Sequence, residues 1–530
     1  MTDNNNDGLL TGIGRVALGD LLRRSAARGG DRVALIEGER RTTYAELDAD
    51  ANRFARYLIA RGLRRGDKVA MLCNNSTAMV AAIFGIQKAG LVWVPINTML
   101  GVDDIDYIVG HAEVALVVID DNLLANAGLA ALFDRLGLPR VVVELAGSGV
   151  PAGAVAFKAA IADQPATEPQ VAIGERDLAQ IMYTSGTTAR PKGVMHSHLS
   201  VYFAVLGNIG DMGIGHRDVA TCMLPLFHCA QHVTALSFLA GGNALVLMRG
   251  FDPAALIAAI ARERITYMVG LPLMYAAVLN HPSRTDHDLS SLRLCIYAMA
   301  PMPKPLLIRL IDELCPNFAL CTGQTEIYPM TAMFRPEQQL QRFGNYWGES
   351  AIVNDTAIMD DDGNLLPWGE VGEIVHRGPN VMLGYYKNPE ATEEARRFGW
   401  HHTGDLGVID PDGQLMFVDR KKDMIKSGGE NVPSVKVEEV LLRHPAIANA
   451  AVVGLPHPHW TEAVSAFVTI KPGMSADEAA ISAHCRDHLG GFEVPKFVQI
   501  VEALPMTATG KIRKQELKAT HAATFEGVGA

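Results

Sequence analysis

The chain has little of what marks a membrane-spanning, secreted or nucleic-acid-binding protein. No apolar run in its 530 residues approaches the ~18 needed to cross a bilayer, so no transmembrane segment is expected. The segment from Met1 to Asp7 is polar and lacks the basic–apolar pattern of a signal peptide. Seven cysteines form no paired framework, which makes a reducing cytoplasm the expected compartment. Positive charge is in deficit: 47 Lys and Arg stand against 58 Asp and Glu, a net charge of −11. That balance argues against nucleic acid as the main partner. Internal repeats and low-complexity stretches are also missing.

What remains is a globular composition, 48% hydrophobic and 20% charged, on a chain too long for one ordinary domain. From about residue 30, β-rich apolar runs alternate with helical patterns. Lys68 to Cys73 reads as a strand, Thr77 to Lys88 as a helix and Leu91 to Ile96 as a strand. Ala112 to Ile119 reads as another strand, and the helix Pro253–Arg264 precedes the strand Ile265 to Val269. This alternation predicts α/β layers. After about 350, short strands with Asp/Gly turns predict a β-rich subdomain. Beyond the charged break Asp419-Arg420-Lys421-Lys422-Asp423, Val435–Arg443 and Asp477–Leu489 read as helices, and Ala448–Val453 and Ala463–Ile470 as strands. The predicted class is therefore α/β. Residues 1–419 form a large N-terminal domain of layered α/β subdomains plus the β-rich one. Residues 420–530 form a small mobile α+β domain, with the hinge near Lys422.

The most informative segment runs from Tyr183 to Gly193. Thr184, Ser185, Thr187, Thr188, Gly186, Gly193 and Lys192 fall within eleven positions, after the apolar strand lead-in Leu178 to Met182. Small residues let backbone N–H groups converge on an anion, hydroxyls add donors, and Lys192 adds a mobile positive charge. The loop suits the β- and γ-phosphates of a nucleotide. It is not a P-loop, because Gly193 rather than Ser or Thr follows Lys192.

Further segments carry chemistry. In Thr322-Gly323-Gln324-Thr325-Glu326, a carboxylate beside phosphates calls for a divalent cation between them. Glu326 is therefore a Mg²⁺ ligand candidate, and Thr325 a donor to the α-phosphate. His228, Cys229 and His232 suggest zinc but lack a fourth ligand. His401 and His402 are adjacent, so their side chains diverge on a strand rather than share a metal.

Six segments, in order, closely resemble the adenylate-forming superfamily: acyl-CoA synthetases, aryl-CoA ligases, luciferases and peptide-synthetase adenylation domains. They are Tyr183–Gly193, Leu224–His232, Thr322–Glu326, Trp400–Asp405, Asp419–Asn431 and Pro505–Lys514. The resemblance covers about residues 20–520. It implies that Asp405 accepts both ribose hydroxyls and that Arg420 contacts the ribose. It further implies that Lys422 is the hinge, that Gly428 lines the pantetheine tunnel and that Lys511 is the adenylation lysine. His228 becomes an aromatic gate on a helix lining the acid pocket; amino-acid-activating relatives carry an aspartate there. Two departures stand out. Thr322 occupies the position of an aromatic residue that stacks on adenine, and Ala189 replaces a glycine common in the phosphate loop.

The resemblance implies an acyl-CoA synthetase using ATP, Mg²⁺ and CoA on a small-molecule carboxylic acid. A homodimer is left open. The implied acid pocket comprises His228, Ala230, Gln231, Thr234, Gly270, Tyr297, Ala298, Met299, Gly323 and Ile327. It is largely apolar and has no charged anchor, which favours a medium or long aliphatic acid. An aryl or arylpropenoic acid flanked by Tyr297 and His228 is the second reading. Outside this class stand a luciferase-like oxidative adenylating enzyme and an inactive nucleotide-binding regulator, against which Glu326 and Lys511 both weigh.

Overall fold

The computed structural model describes residues 14–184, 190–298, 302–342, 344–506 and 512–526. It separates into two compact units. The first joins Met1–Thr356 with His376–His401, and the second joins Ala357–Val375 with His402–Ala530.

The first unit holds two sheets with helices between and around them. One sheet has a parallel core of Phe318–Thr322, Leu294–Tyr297, Tyr267–Gly270, Val219–Cys222, Ala244–Leu247 and Val33–Glu37, in that order. Antiparallel strands close both ends of this core, Ala332–Phe334 and Tyr346–Ser350 on one side and Arg40–Thr43 on the other. The other sheet runs Gly384–Tyr385, Lys192–Ser197, Leu178–Thr184, Val92–Pro95, Lys68–Leu72, Val114–Asp120, Arg140–Val143 and Ala154–Ala156. In this second sheet the phosphate-loop strand Leu178–Thr184 is parallel to Val92–Pro95 but antiparallel to Lys192–Ser197.

Helix Thr77–Lys88 explains the layering. Every residue but Ala78 is buried, so the helix has no solvent face and lies inside one core shared by both sheets. Ser76 caps its start through Met79 N at 3.2 Å. Even Lys88 is buried, its ammonium 2.9 Å from Asp48. The adjoining helix Tyr44–Ala60 starts on a capping box between Thr43 and Glu46.

The second unit carries the strand pair His401–Ile409 and Leu415–Arg420, and a five-stranded sheet. In that sheet Thr461–Ile470 is central. It pairs with Ile447–His457, Ile425–Ser427 and Phe497–Ile500, and helices Ser434–Arg443 and Glu478–His488 share the core on it. The predicted α/β class, with a large N-terminal and a smaller C-terminal part, is the fold observed. Among the described residues, no helix is long and apolar enough to cross a membrane.

Candidate active site

The strands flanking the phosphate loop place Thr184 directly opposite Lys192. Ser185, Gly186, Thr187, Thr188 and Ala189 lie outside the described residues. The base of the loop is tied down on one side by Tyr183, whose hydroxyl is 2.7 Å from His111 Nδ1. On the other side Arg190 sits over the Tyr107 ring at 5.0 Å. The Lys192 ammonium lies 5.0 Å from the centre of the Tyr385 ring.

Strand Phe318–Thr322 delivers the second motif. Gly323 has no room for a side chain, because an added Cβ would stand 2.6 Å from Pro329 Cβ. The Thr322 hydroxyl lies 3.5 Å from the Ala332 carbonyl and presents no ring to a base. Past Gly323 the backbone leaves regular structure and is held by neighbours. His196 Nε2 meets the Thr325 carbonyl at 2.6 Å, Met382 N donates to the Glu326 carbonyl at 2.8 Å, and Tyr328 N donates to Asn380 O at 3.0 Å. Burial pushes His196 down to about 4, so its ring is neutral and Nε2–H is the donor to Thr325. The Tyr385 hydroxyl donates to Glu326 Oε1 at 2.9 Å. Burial, then the Glu326 charge, push that phenol well above its ordinary value, so it stays a donor.

The helix Cys229–Gly241 starts at His228, whose ring packs on Phe227 at 4.8 Å. Cys229 Sγ lies 3.6 Å from Thr325 Oγ1, which brings the start of this helix to the second motif. His232 is a core residue. It is fully enclosed and bonded through Nδ1 to the Tyr328 hydroxyl, with its ring 4.4 Å from Trp93 and its basicity lowered by burial to about 3. No group of three or more His, Cys, Asp or Glu among the described residues is arranged to hold a metal.

The other expected pocket residues divide. Gln231 and Ile327 are fully buried, and Gln231 Oε1 accepts from Leu224 N. The Thr234 hydroxyl donates to Ala230 O at 2.8 Å, within its own helix. Tyr297 donates its hydroxyl to Gln339, leaving only its ring for a ligand. At Gly270 an added Cβ would stand 3.1 Å from Met223 Cε and 3.6 Å from Met274 Sδ. Ala298 is half-buried, and Met299 lies outside the described residues.

In the second unit, pairing of adjacent strands puts Asp405 opposite Arg420, Oδ1 to Nε 3.6 Å. Gly404 before it takes φ 73°, the left-handed turn glycine permits, and donates its N–H to Glu373 Oε1. Lys422 is exposed just beyond. Gly428, at φ 60°, turns the chain between Ile425–Ser427 and Glu430–Val432. Beside it opens a cavity of about 500 Å³ whose lining includes Gly429, Trp460, Phe492 and Lys496. The Lys496 ammonium lies over the Trp460 ring at 5.3 Å. Lys511 lies outside the described residues. Three positions on, Lys514 is anchored by Ser434 Oγ and by Glu438, both at 2.7 Å.

Sequence reasoning missed Tyr385, His196 and Trp460. None belongs to a run rich in charge, hydroxyl or glycine. Their contacts with the candidate residues come from pairings between distant segments.

Comparison with known proteins gives the family. The model of the AMP-binding enzyme family matches residues 22–386, and that of its C-terminal domain matches 436–511. A feruloyl-CoA synthase of an Amycolatopsis species is 36% identical over 94% of this chain and 98% of its own. The long-chain-fatty-acid–CoA ligase FadD13 of Mycobacterium tuberculosis is 33% identical, over 96% and 99%. Among solved structures, ATP-bound MatB from Rhodopseudomonas palustris matches with a TM-score of 0.86 at 29% identity, covering 96% of this chain and all of that one. The chain belongs to the AMP-binding enzyme family, in the CoA-ligase branch of the adenylate-forming superfamily, and is an ATP-dependent acid–thiol ligase that works with Mg²⁺ and CoA.

Proposed function

We propose that the acid is a medium or long aliphatic carboxylic acid. The observation that carries this reading is the wall at Gly270. Met223 Cε and Met274 Sδ would stand 3.1 and 3.6 Å from a Cβ added there, and flexible thioethers reshape around an extended chain. An arylpropenoic acid is the second reading, favoured by the feruloyl-CoA synthase relatives and by the ring of Tyr297.

In the first step a carboxylate oxygen attacks the α-phosphorus of ATP, and the bond to the bridging oxygen breaks to release pyrophosphate. Thr184, Ser185, Gly186, Thr187, Thr188 and Lys192 hold the β- and γ-phosphates. Thr325 donates to the α-phosphate, Asp405 and Arg420 hold the ribose, and Lys511 offsets charge where acid and phosphate join. Thr322 contributes no stacking, so the adenine is held by neighbours or more weakly. Glu326 fits a Mg²⁺ shared with phosphates: Oε1 is oriented by Tyr385, and Oε2 has no hydrogen-bond partner among the described residues. Mg²⁺, when bound, screens phosphate charge.

In the second step the CoA sulfur attacks the acyl carbonyl, and AMP leaves as the carbonyl–oxygen bond breaks. The cavity beside Gly428 supports a thiol-carrier site, because Lys496 and Trp460 suit a long, phosphorylated ligand. Rotation about Lys422 exchanges Lys511 for Gly428 between the steps, with the proposed domain boundary near 420. His228 gates the acid pocket. The setting proposed is cytoplasmic.

A panel of aliphatic and aryl acids with ATP, Mg²⁺ and CoA, read by mass detection of thioesters, tests the reading. The expected result is highest kcat/KM for aliphatic acids of six carbons or more. Preference for cinnamate-type acids would overturn the aliphatic assignment.

A further inference from the structure

Thr325 and Glu326 lie outside any helix or extended strand, yet the chemistry proposed for them needs fixed side chains. The structure supplies the fixing from two adjacent strands of the phosphate-loop sheet. Lys192–Ser197 provides His196 to the Thr325 carbonyl. Gly384–Tyr385, paired onto it through Gly384↔Met195 and Tyr385↔Val194, provides the hydroxyl on Glu326 Oε1. Tyr385 is itself immobilised. Its N–H donates to Thr392 Oγ1 at 2.9 Å. Gly384 before it has φ 137° and no room for a Cβ, which would stand 2.6 Å from Thr392 Cγ2. The same ring carries the Lys192 ammonium on its face at 5.0 Å. One side chain therefore touches both the candidate metal ligand and the phosphate-loop lysine.

We propose that Tyr385 is a positioning residue for the adenylation step. Its hydroxyl holds one oxygen of Glu326 so that the other is presented to the cation on the nucleotide, and its ring aligns Lys192 with the phosphates. Tyr385 moves no proton and makes no bond to substrate. The inference rests on the reading of Glu326 as the carboxylate that meets the cation.

The two halves of the role separate by substitution. Tyr385→Phe keeps the ring and removes the hydroxyl; Tyr385→Leu removes both. Manganese serves as the probe. Its affinity for the full-length protein with ATP, and no acid, is measured by the loss of free Mn²⁺ electron paramagnetic resonance signal. Tyr385→Phe is expected to weaken that affinity roughly 10-fold, the low end of the cost of losing an outer-shell partner of a metal ligand. The KM for the acid and the thermal midpoint are expected to stay at wild-type values. Tyr385→Leu is expected to add a rise of about threefold in KM for ATP, the scale of one exposed cation–π contact. Tyr385→Phe placed in a Glu326→Gln background should weaken Mn²⁺ binding no further. Wild-type Mn²⁺ affinity in Tyr385→Phe, alongside weakened affinity in Glu326→Gln, overturns the role of Tyr385 and leaves that of Glu326. Unchanged affinity in Glu326→Gln overturns both. A lowered thermal midpoint with unchanged Mn²⁺ affinity would reduce Tyr385 to a packing residue.

Discussion

The two regions proposed to carry this chemistry are built differently. Around Thr325 and Glu326 the first unit is tight. Two carbonyls and a carboxylate oxygen are each met by a partner from another segment, and Gly323, Gly384 and Gly193 leave no space for a methyl group. Around Gly428 the second unit is open. Gly428, Gly429 and Glu430 are exposed in a left-handed turn, Phe492 is 45% exposed, and an added Cβ at Gly429 would meet nothing within 4 Å. The contrast fits the two tasks. Joining charged groups at phosphorus needs dipoles fixed in advance. Admitting a long thiol carrier needs an accessible groove whose backbone can be approached closely.

The second unit keeps its order elsewhere, under the turn. Asp419 is buried and accepts from the N–H and hydroxyl of Ser434. Lys514 reaches the same Ser434 hydroxyl and pairs with Glu438. Burial pushes the Asp419 and Glu438 carboxyls up, while the Lys514 charge pulls both down. The exposed working loops thus grow from a charged, enclosed base.

The sharpest way to break the comparison is at Lys511. Lys511→Ala is expected to cut acid-dependent pyrophosphate release by roughly 10²–10³, the scale of losing one transition-state donor. Thioester formation from supplied acyl-adenylate should survive. Equal loss in both half-reactions would end the division of labour between regions.

Lys422→Pro comes next. Lys422 donates no backbone hydrogen bond among the described residues, so proline there removes none, while locking φ near roughly −65°. The expected outcome is near-normal pyrophosphate release with thioester formation down about tenfold. A parallel fall in both would move the hinge elsewhere.

Lys514→Met attacks the enclosed base. Breaking a buried pair costs roughly 3–5 kcal/mol; with side-chain exposures of 15% and 17%, about 2 kcal/mol is expected here. Without Lys514 the two carboxyls rise further. The deficit should therefore be full where both are ionised, near neutrality, and shrink as pH falls through the carboxylate range. Chemical denaturation of both proteins at pH 7 and near pH 4 checks the sign. A gap that widens in acid would contradict it.

Ala298→Phe is the mildest test and sharpens the acid assignment. Each methylene excluded should cost about 0.8 kcal/mol of acyl binding, shifting preference towards shorter acids with KM for ATP unchanged. An unaltered chain-length profile would remove Ala298 from the pocket.

Much of this was legible in the sequence, for physical reasons that also mark the limit. Helix Thr77–Lys88 was read with its true ends because Ser76 caps it and Lys88 closes it. The strand read as Lys68 to Cys73 ends at Leu72, since an apolar run continues past the last ladder bond. Helix Val435–Arg443 begins one residue earlier, at Ser434, where Asp419 accepts from the Ser434 N–H and hydroxyl. Candidate residues that stand out by local composition were visible, as at Thr184, Lys192, Glu326 and Gly428. Residues that work through long-range partners were not. Tyr385 and Glu326 are 59 positions apart, and His196 and Thr325 are 129 apart. Zinc at His228, Cys229 and His232 already lacked a fourth ligand in the sequence, and Tyr328 and Trp93 make His232 a core residue.

The central claim is that this chain makes a thioester in two separable steps, through an acyl-adenylate. It is tested most directly by incubating the protein with labelled pyrophosphate, ATP, Mg²⁺ and an aliphatic acid, first without CoA and then with it. The account predicts acid-dependent transfer of label into ATP in the absence of CoA, and acyl-CoA and AMP in equal amounts once CoA is added. No exchange without CoA, or exchange followed by oxygen consumption in place of a thioester, would contradict it.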